Sequence, residues 1–149
     1  MKKLLVITIV ILFFTNISFC QNTDKKEKLK AQKIAFFTEK IGLTPKEAQI
    51  FWPVYNEYWD LKNNIINDRK KNMTYFSNHY NELSEKEIIE FSDKYINSEL
   101  EIAKLLSSYH IKFKKILPIN KVMKIYKADY EFKTYLLNQI KNSYKKHKE

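Results

Sequence analysis

The chain has 149 residues, of which 44% are hydrophobic and 30% are charged, and its formal net charge at pH 7 is +10. One glycine and three prolines argue against a β-rich fold, and a single cysteine leaves no pair for a disulfide within the chain. The excess of positive charge is local, because residues 110–149 hold 11 lysines and three acidic residues. This distribution predicts a basic face near the C-terminal end.

The first twenty residues have the layout of a secretory signal peptide. Lys2 and Lys3 form a positive start, and an apolar stretch follows over residues 4–14. That stretch is too short to span a hydrocarbon core of roughly 30 Å, and its length is typical of the apolar part of a signal peptide. We therefore expect residues 1–20 to be removed on export.

The cleavage site is predicted before Gln21, because Ser18 and Cys20 are the small residues that signal peptidase requires. The remaining 21–149 are expected to form one periplasmic domain. Acylation of Cys20, which would leave a lipid-anchored protein, is the alternative. The bulky Phe19 before that cysteine disfavours it.

Two segments have the sequence of a helix start with a capping box, Thr44 with Glu47 and Ser84 with Glu87. A leucine precedes each cap, as in a hydrophobic staple; these are Leu43 and Leu83. Gly42 predicts the end of the preceding helix, and Pro118 marks a third boundary after Leu117. The predicted helices are about 24–41, 45–79, 85–117 and 119–145.

Apolar residues recur at helical spacing within these segments, as at Phe51, Val54 and Tyr58. The longer helices would extend roughly 40–50 Å at 1.5 Å per residue. The sequence therefore predicts an all-α protein, an elongated and hairpin-like bundle of about four helices.

The chain resembles the Spy/CpxP family of periplasmic proteins, which is marked by two L-T-x-x-Q motifs. The first motif reads Leu43-Thr44-Pro45-Lys46-Glu47, in which Glu retains the capping chemistry of Gln. The second reads Leu117-Pro118-Ile119-Asn120-Lys121 and lacks both Thr and Gln. The resemblance implies a homodimer of long curved helices whose concave face holds non-native proteins, or which senses envelope stress.

The residues themselves also indicate a binding protein. Aromatic side chains suit weak binding of varied partners, and lysines add long-range attraction for acidic ones. The aromatic candidates for a surface or a dimer seam are Phe36, Phe37, Trp52, Trp59 and Tyr75. The basic candidates are Lys121, Lys124, Lys127, Lys141 and Lys145.

No enzymatic activity, cofactor or metal site is expected. The histidines His79, His110 and His147 are far apart in sequence, and His110 is expected to be a partly buried structural residue. Nucleic acid does not fit the predicted compartment.

We expect an envelope chaperone or stress-response component that works without ATP. Two alternatives remain. One is a sensor in an extracytoplasmic-function sigma factor pathway. The other is a membrane-surface binder that uses the basic last helix.

Overall fold

The computed structural model describes the backbone of residues 17–146 and the side chains of residues 27–144. This part of the chain contains four α-helices and no strand, which confirms the predicted all-α fold. The helices are α1 (Ile17–Ile41), α2 (Pro45–His79), α3 (Glu85–Ile116) and α4 (Ile119–Lys146). The lysines and apolar stretch of the predicted signal peptide, within residues 1–16, lie outside the described residues.

The predicted boundaries agree with the structure except at the first helix. α1 is helical from Ile17, the first residue that the structure describes, whereas the sequence indicated a start near residue 24. No glycine or proline occurs between Ile17 and Ile41, so nothing in the backbone interrupts the helix there.

Gly42 ends α1 as predicted. Its φ of 71° is in the left-handed region, which glycine adopts without the steric cost of a Cβ atom. Its amide donates to the carbonyl oxygens of Thr38 and Glu39, both at 3.1 Å, and so satisfies the last turn of the helix.

Both predicted capping boxes are present. Thr44 Oγ1 accepts a hydrogen bond from the Glu47 amide at 3.3 Å, and the Glu47 carboxylate accepts one from the Thr44 amide at 2.8 Å. Ser84 and Glu87 make the same two bonds at 3.4 and 2.8 Å. These bonds fix where α2 and α3 begin.

The backbone contacts cluster into two compact units. The terminal unit combines α1 with the part of α4 from Lys127 onward, and the central unit runs from Leu43 to Tyr126. The predicted single domain over 21–149 stays a prediction. No helix in the described part of the chain is both long and apolar enough to cross a membrane.

In the terminal unit, aromatic rings join α1 to α4. Phe37 is fully buried, and its ring centroid lies 6.0 Å from that of Phe132. Phe36 lies 5.4 Å from the same ring and 5.5 Å from Tyr135. Lys33 is buried beside Phe37 and pairs with Asp129 at 3.9 Å.

In the central unit, α2 and α3 form an antiparallel hairpin whose buried core lies at one end. The side chains of Phe51, Tyr55, Tyr58, Tyr109 and Phe113 are buried and in mutual ring contact there. Between residues 59 and 108, all of which are described, Ser98 is the only buried residue. The remainder of the hairpin is therefore two helices thick and leaves apolar side chains exposed.

Candidate binding groove

An apolar groove lies at the end of the hairpin near the turn that joins α2 to α3. We call it the hairpin groove, and its volume is about 310 Å³. Its lining residues come from the end of α2 and the start of α3: Met73, Phe76, Ile88, Phe91, Ser92, Tyr95 and Ile96. Two helices can bury only the seam between them, so the apolar residues beside that seam remain open to solvent.

Aromatic rings form the floor and edge of the groove. The ring of Phe91 lies 5.7 Å from Tyr75 and 6.0 Å from Phe76. Phe91 and Phe76 are half-buried, whereas Met73 and Ile96 are exposed. The groove thus combines fixed rings with a flexible methionine, a combination that can fit varied apolar partners.

A polar contact lies beyond the end of the groove that faces the core. Arg69 is the only arginine in the sequence. Its guanidinium donates to the Glu99 carboxylate and lies 5.3 Å from the centre of the Tyr95 ring. Since Tyr95 also lines the groove, this clasp joins α2 to α3 where the groove ends.

The turn between α2 and α3 lies beyond the opposite end of the groove. Glu82 donates its amide to the His79 carbonyl at 2.8 Å, and the ring of Tyr80 lies 5.5 Å from Phe76. Hydrogen bonds from the Ser84 hydroxyl and amide hold the pKa of Glu87 below its ordinary value. These hydrogen bonds therefore favour the charged form of the Glu87 carboxylate, which caps α3.

The predicted aromatic candidates lie in different environments. Tyr75 is exposed and stacks on Phe91 at the edge of the groove. Phe36, Trp52 and Trp59 are half-buried. A surface position for Phe37 is wrong, because its ring packs inside the terminal unit.

The predicted lysines also lie in different environments. Lys124, Lys127 and Lys141 are exposed, and the side chain of Lys145 lies outside the described residues. The prediction that Lys121 lies on an open basic face is wrong. Its ammonium donates to the Glu47 carboxylate at 2.6 Å, and the side chain is only 19% exposed.

The contact between Lys121 and Glu47 joins the first turn of α4 to the first turn of α2. It also dominates the titration of Glu47. The hydrogen bond from Lys121 and those from Thr44 lower the pKa of Glu47 to about 2. The two helix starts are therefore linked directly, and Leu117 beside the second is buried.

His110 is half-buried, as predicted, and its Nδ1 lies 2.6 Å from the Tyr126 hydroxyl. Across the side chains that the structure describes, no three His, Cys, Asp or Glu residues lie close enough to hold a metal ion.

The hairpin groove includes residues that sequence reasoning did not select. The helical spacing of Ile88, Phe91 and Tyr95 places them on one side of α3, but it does not identify Met73 and Phe76 of α2 as their partners. Spacing indicates which residues share a helix face, but it does not indicate that this face lacks a third helix. The scarcity of glycine and proline, which keeps both helices long, is the feature of the sequence that indicates an exposed apolar face.

Fold and groove together define an all-helical protein with an open apolar groove on a two-helix hairpin. Comparisons with known protein families, curated proteins and solved structures find no match to this chain.

Proposed function

We propose that the protein is an exported binding protein of the cell envelope that shields short apolar segments of non-native proteins without ATP. The hairpin groove is the observation that carries this proposal. A groove lined by Met73, Phe91 and Tyr95 offers apolar contact that does not depend on one partner sequence.

The composition of the groove supports capture through apolar contact. None of the seven residues that line it is charged, so the groove would not select partners by the sign of their charge. Contiguous exposed apolar surface in a soluble chain typically marks an interaction site.

The sequence supports the absence of a nucleotide requirement. Its only glycine is Gly42, which terminates α1. A glycine-rich loop that cradles phosphate needs at least two glycines around the phosphates. Binding and release would therefore depend on the affinity of the groove alone.

The test is an aggregation assay with a chemically denatured model client, without nucleotide. We expect an equimolar amount of the protein to suppress light scattering by the client. Replacing Met73 and Ile96 by Gln should abolish most of this effect, because both side chains are exposed in the groove and neither supports the core.

A matched control is available in the same unit. Ile111 and Met123 are also exposed, and neither lines the groove. Their double replacement by Gln should leave the suppression unchanged. If the protein has no effect on aggregation at several-fold excess, or if both double variants behave alike, the proposed function is wrong.

A further inference from the structure

We propose that α4 carries a second binding surface in the terminal unit, and that it docks on membranes rich in anionic phospholipid. The surface consists of Tyr130, Leu137, Ile140 and Tyr144, which we call the outer face of α4. Tyr130, Leu137 and Tyr144 are spaced by seven residues, or about two helical turns, and so lie on one side of the helix.

The outer face is apolar but not covered by α1. Its four side chains are 73%, 66%, 52% and 69% exposed. The opposite side of the helix supplies the buried Ala128 and Phe132, and Phe132 contacts both Phe36 and Phe37 of α1. α4 therefore has two apolar sides, and only one of them serves the packing of the terminal unit.

Charge is divided between the two sides of α4. Asp129 and Glu131 pair with the α1 residues Lys33 and Lys40, each at 3.9 Å. Both carboxylates are about three-tenths exposed, at 27% and 32%. The acidic groups of this segment thus lie toward α1 and away from the outer face.

The lysines of the same segment extend into solvent. Lys127 and Lys133 reach the two carboxylates from outside, at 3.6 and 3.3 Å, while remaining 73% and 66% exposed. Lys141 is exposed as well. An apolar strip flanked by lysines is the pattern of a helix that lies in the plane of an anionic bilayer surface.

This charge pattern favours a membrane over the other possible occupants. A second copy of α4 would bring lysines against lysines, which is repulsive. A client segment offers charge of either sign over a few residues. From Tyr130 to Tyr144 the face extends about 21 Å, a length over which an anionic bilayer presents negative potential continuously. Tyrosines at both ends suit the headgroup region.

Co-sedimentation with lipid vesicles tests the proposal, using the protein as recovered after export. We expect binding to vesicles of equal parts phosphatidylglycerol and phosphatidylcholine, and little binding to phosphatidylcholine alone. Replacing Lys127, Lys133 and Lys141 by Gln should weaken partitioning about a hundredfold, since each lysine near an anionic surface contributes about fivefold. Added salt should also weaken the binding of the wild-type protein to anionic vesicles.

The apolar contribution is tested separately. Leu137→Gln with Tyr144→Ser should also lower partitioning, whereas Ile89→Gln with Leu100→Gln should not. Ile89 and Leu100 are similarly exposed, but they lie on α3 without a surplus of lysines around them. All variants keep the same N-terminal segment, so their differences report on α4. Circular dichroism checks the fold, and the single Leu137→Gln serves if a multiple variant unfolds.

Three results would overturn the proposal. The first is unchanged binding to anionic vesicles after the α4 replacements. The second is equal binding to neutral and anionic vesicles. The third is a wild-type protein that does not bind vesicles, together with α4 variants whose molar mass by light scattering differs from that of the wild type. That result would make a second copy of the chain the occupant. None of these results affects the proposed function, whose test depends on groove residues of the central unit.

Discussion

Glu47 has two structural roles in the central unit. Its carboxylate caps α2 through the Thr44 amide and also accepts a hydrogen bond from Lys121, 74 positions further along the chain. These bonds stabilise the charged form, which is why the pKa falls from 4.5 to about 2. One ionised group therefore fixes both the start of a helix and a long-range contact.

The pKa of Glu47 predicts how stability depends on pH. Because the pKa is lower in the folded state, the ionised carboxylate stabilises the fold fully above about pH 4.5, and this contribution is lost as the pH falls toward about 2. We expect Glu47→Gln to flatten the stability profile in this range. Urea unfolding at a series of pH values measures it, and an unchanged acid profile would contradict the assignment.

A second residue-level prediction separates the two partners of Glu47. Lys121→Gln removes the largest cause of the shift, so the pKa of Glu47 should rise toward 4.5 while the capping bonds keep it below that value. Carboxyl titration by NMR provides the measurement. Glu87 is the internal control, because the hydrogen bonds that lower its pKa come from Ser84 and not from Lys121, so its pKa should not move.

At the scale of elements, the two capping boxes predict equal and separate losses. Thr44→Ala and Ser84→Ala each remove a side chain that accepts a hydrogen bond from the helix start. Each should lower the free energy of unfolding by about 0.5–2 kcal/mol. Ser107→Ala, at an exposed position inside α3, is the control and should cost nothing, since alanine favours helix. Denaturant titration distinguishes these outcomes.

Replacing a phenylalanine of the hairpin by alanine should lower the free energy of unfolding by different amounts at its two ends. Phe113 is fully buried among the rings of the core, so Phe113→Ala should cost about 3–5 kcal/mol. Phe91 lies half-buried beside the open groove, and Phe91→Ala should cost clearly less because its ring already contacts water. Equal losses in thermal or denaturant unfolding would mean that the groove is closed in solution.

For the whole molecule, the first prediction concerns export. Mass spectrometry of the protein from the cell envelope should find an N-terminus at Gln21. The layout of Lys2, Lys3, residues 4–14 and Cys20 is the reason for this expectation. A lipid-modified Cys20 would replace soluble export by membrane anchoring, and an intact Met1 in the cytoplasm would contradict export altogether.

Hydrogen exchange provides a second prediction at this scale. Amides near the groove, in residues 85–97, should exchange faster than those in 105–116, because only the latter pack on buried side chains. Protection that is uniform along α3 would contradict this gradient.

Local signals in the sequence were sufficient for the helices but not for their partners. Thr44, Ser84 and Gly42 determine boundaries through hydrogen bonds within a few residues, so their roles could be predicted. The burial of Phe37 depends on Phe132, and the pairing of Lys121 depends on Glu47. Such contacts join distant parts of the chain, and periodicity carries no information about which faces meet.

The hairpin groove is lined by side chains within residues 73–76 of α2 and 88–96 of α3, and this short extent would limit the length of a segment that binds there. From Ile88 to Ile96 the helix rises about 12 Å, which corresponds to about four residues of an extended chain. Side chains of such a chain alternate, so about two of them would point into the groove. A longer apolar stretch would have to be covered by several molecules, each on its own segment. The number of copies of this protein bound to one client would then equal the number of apolar segments that the client exposes.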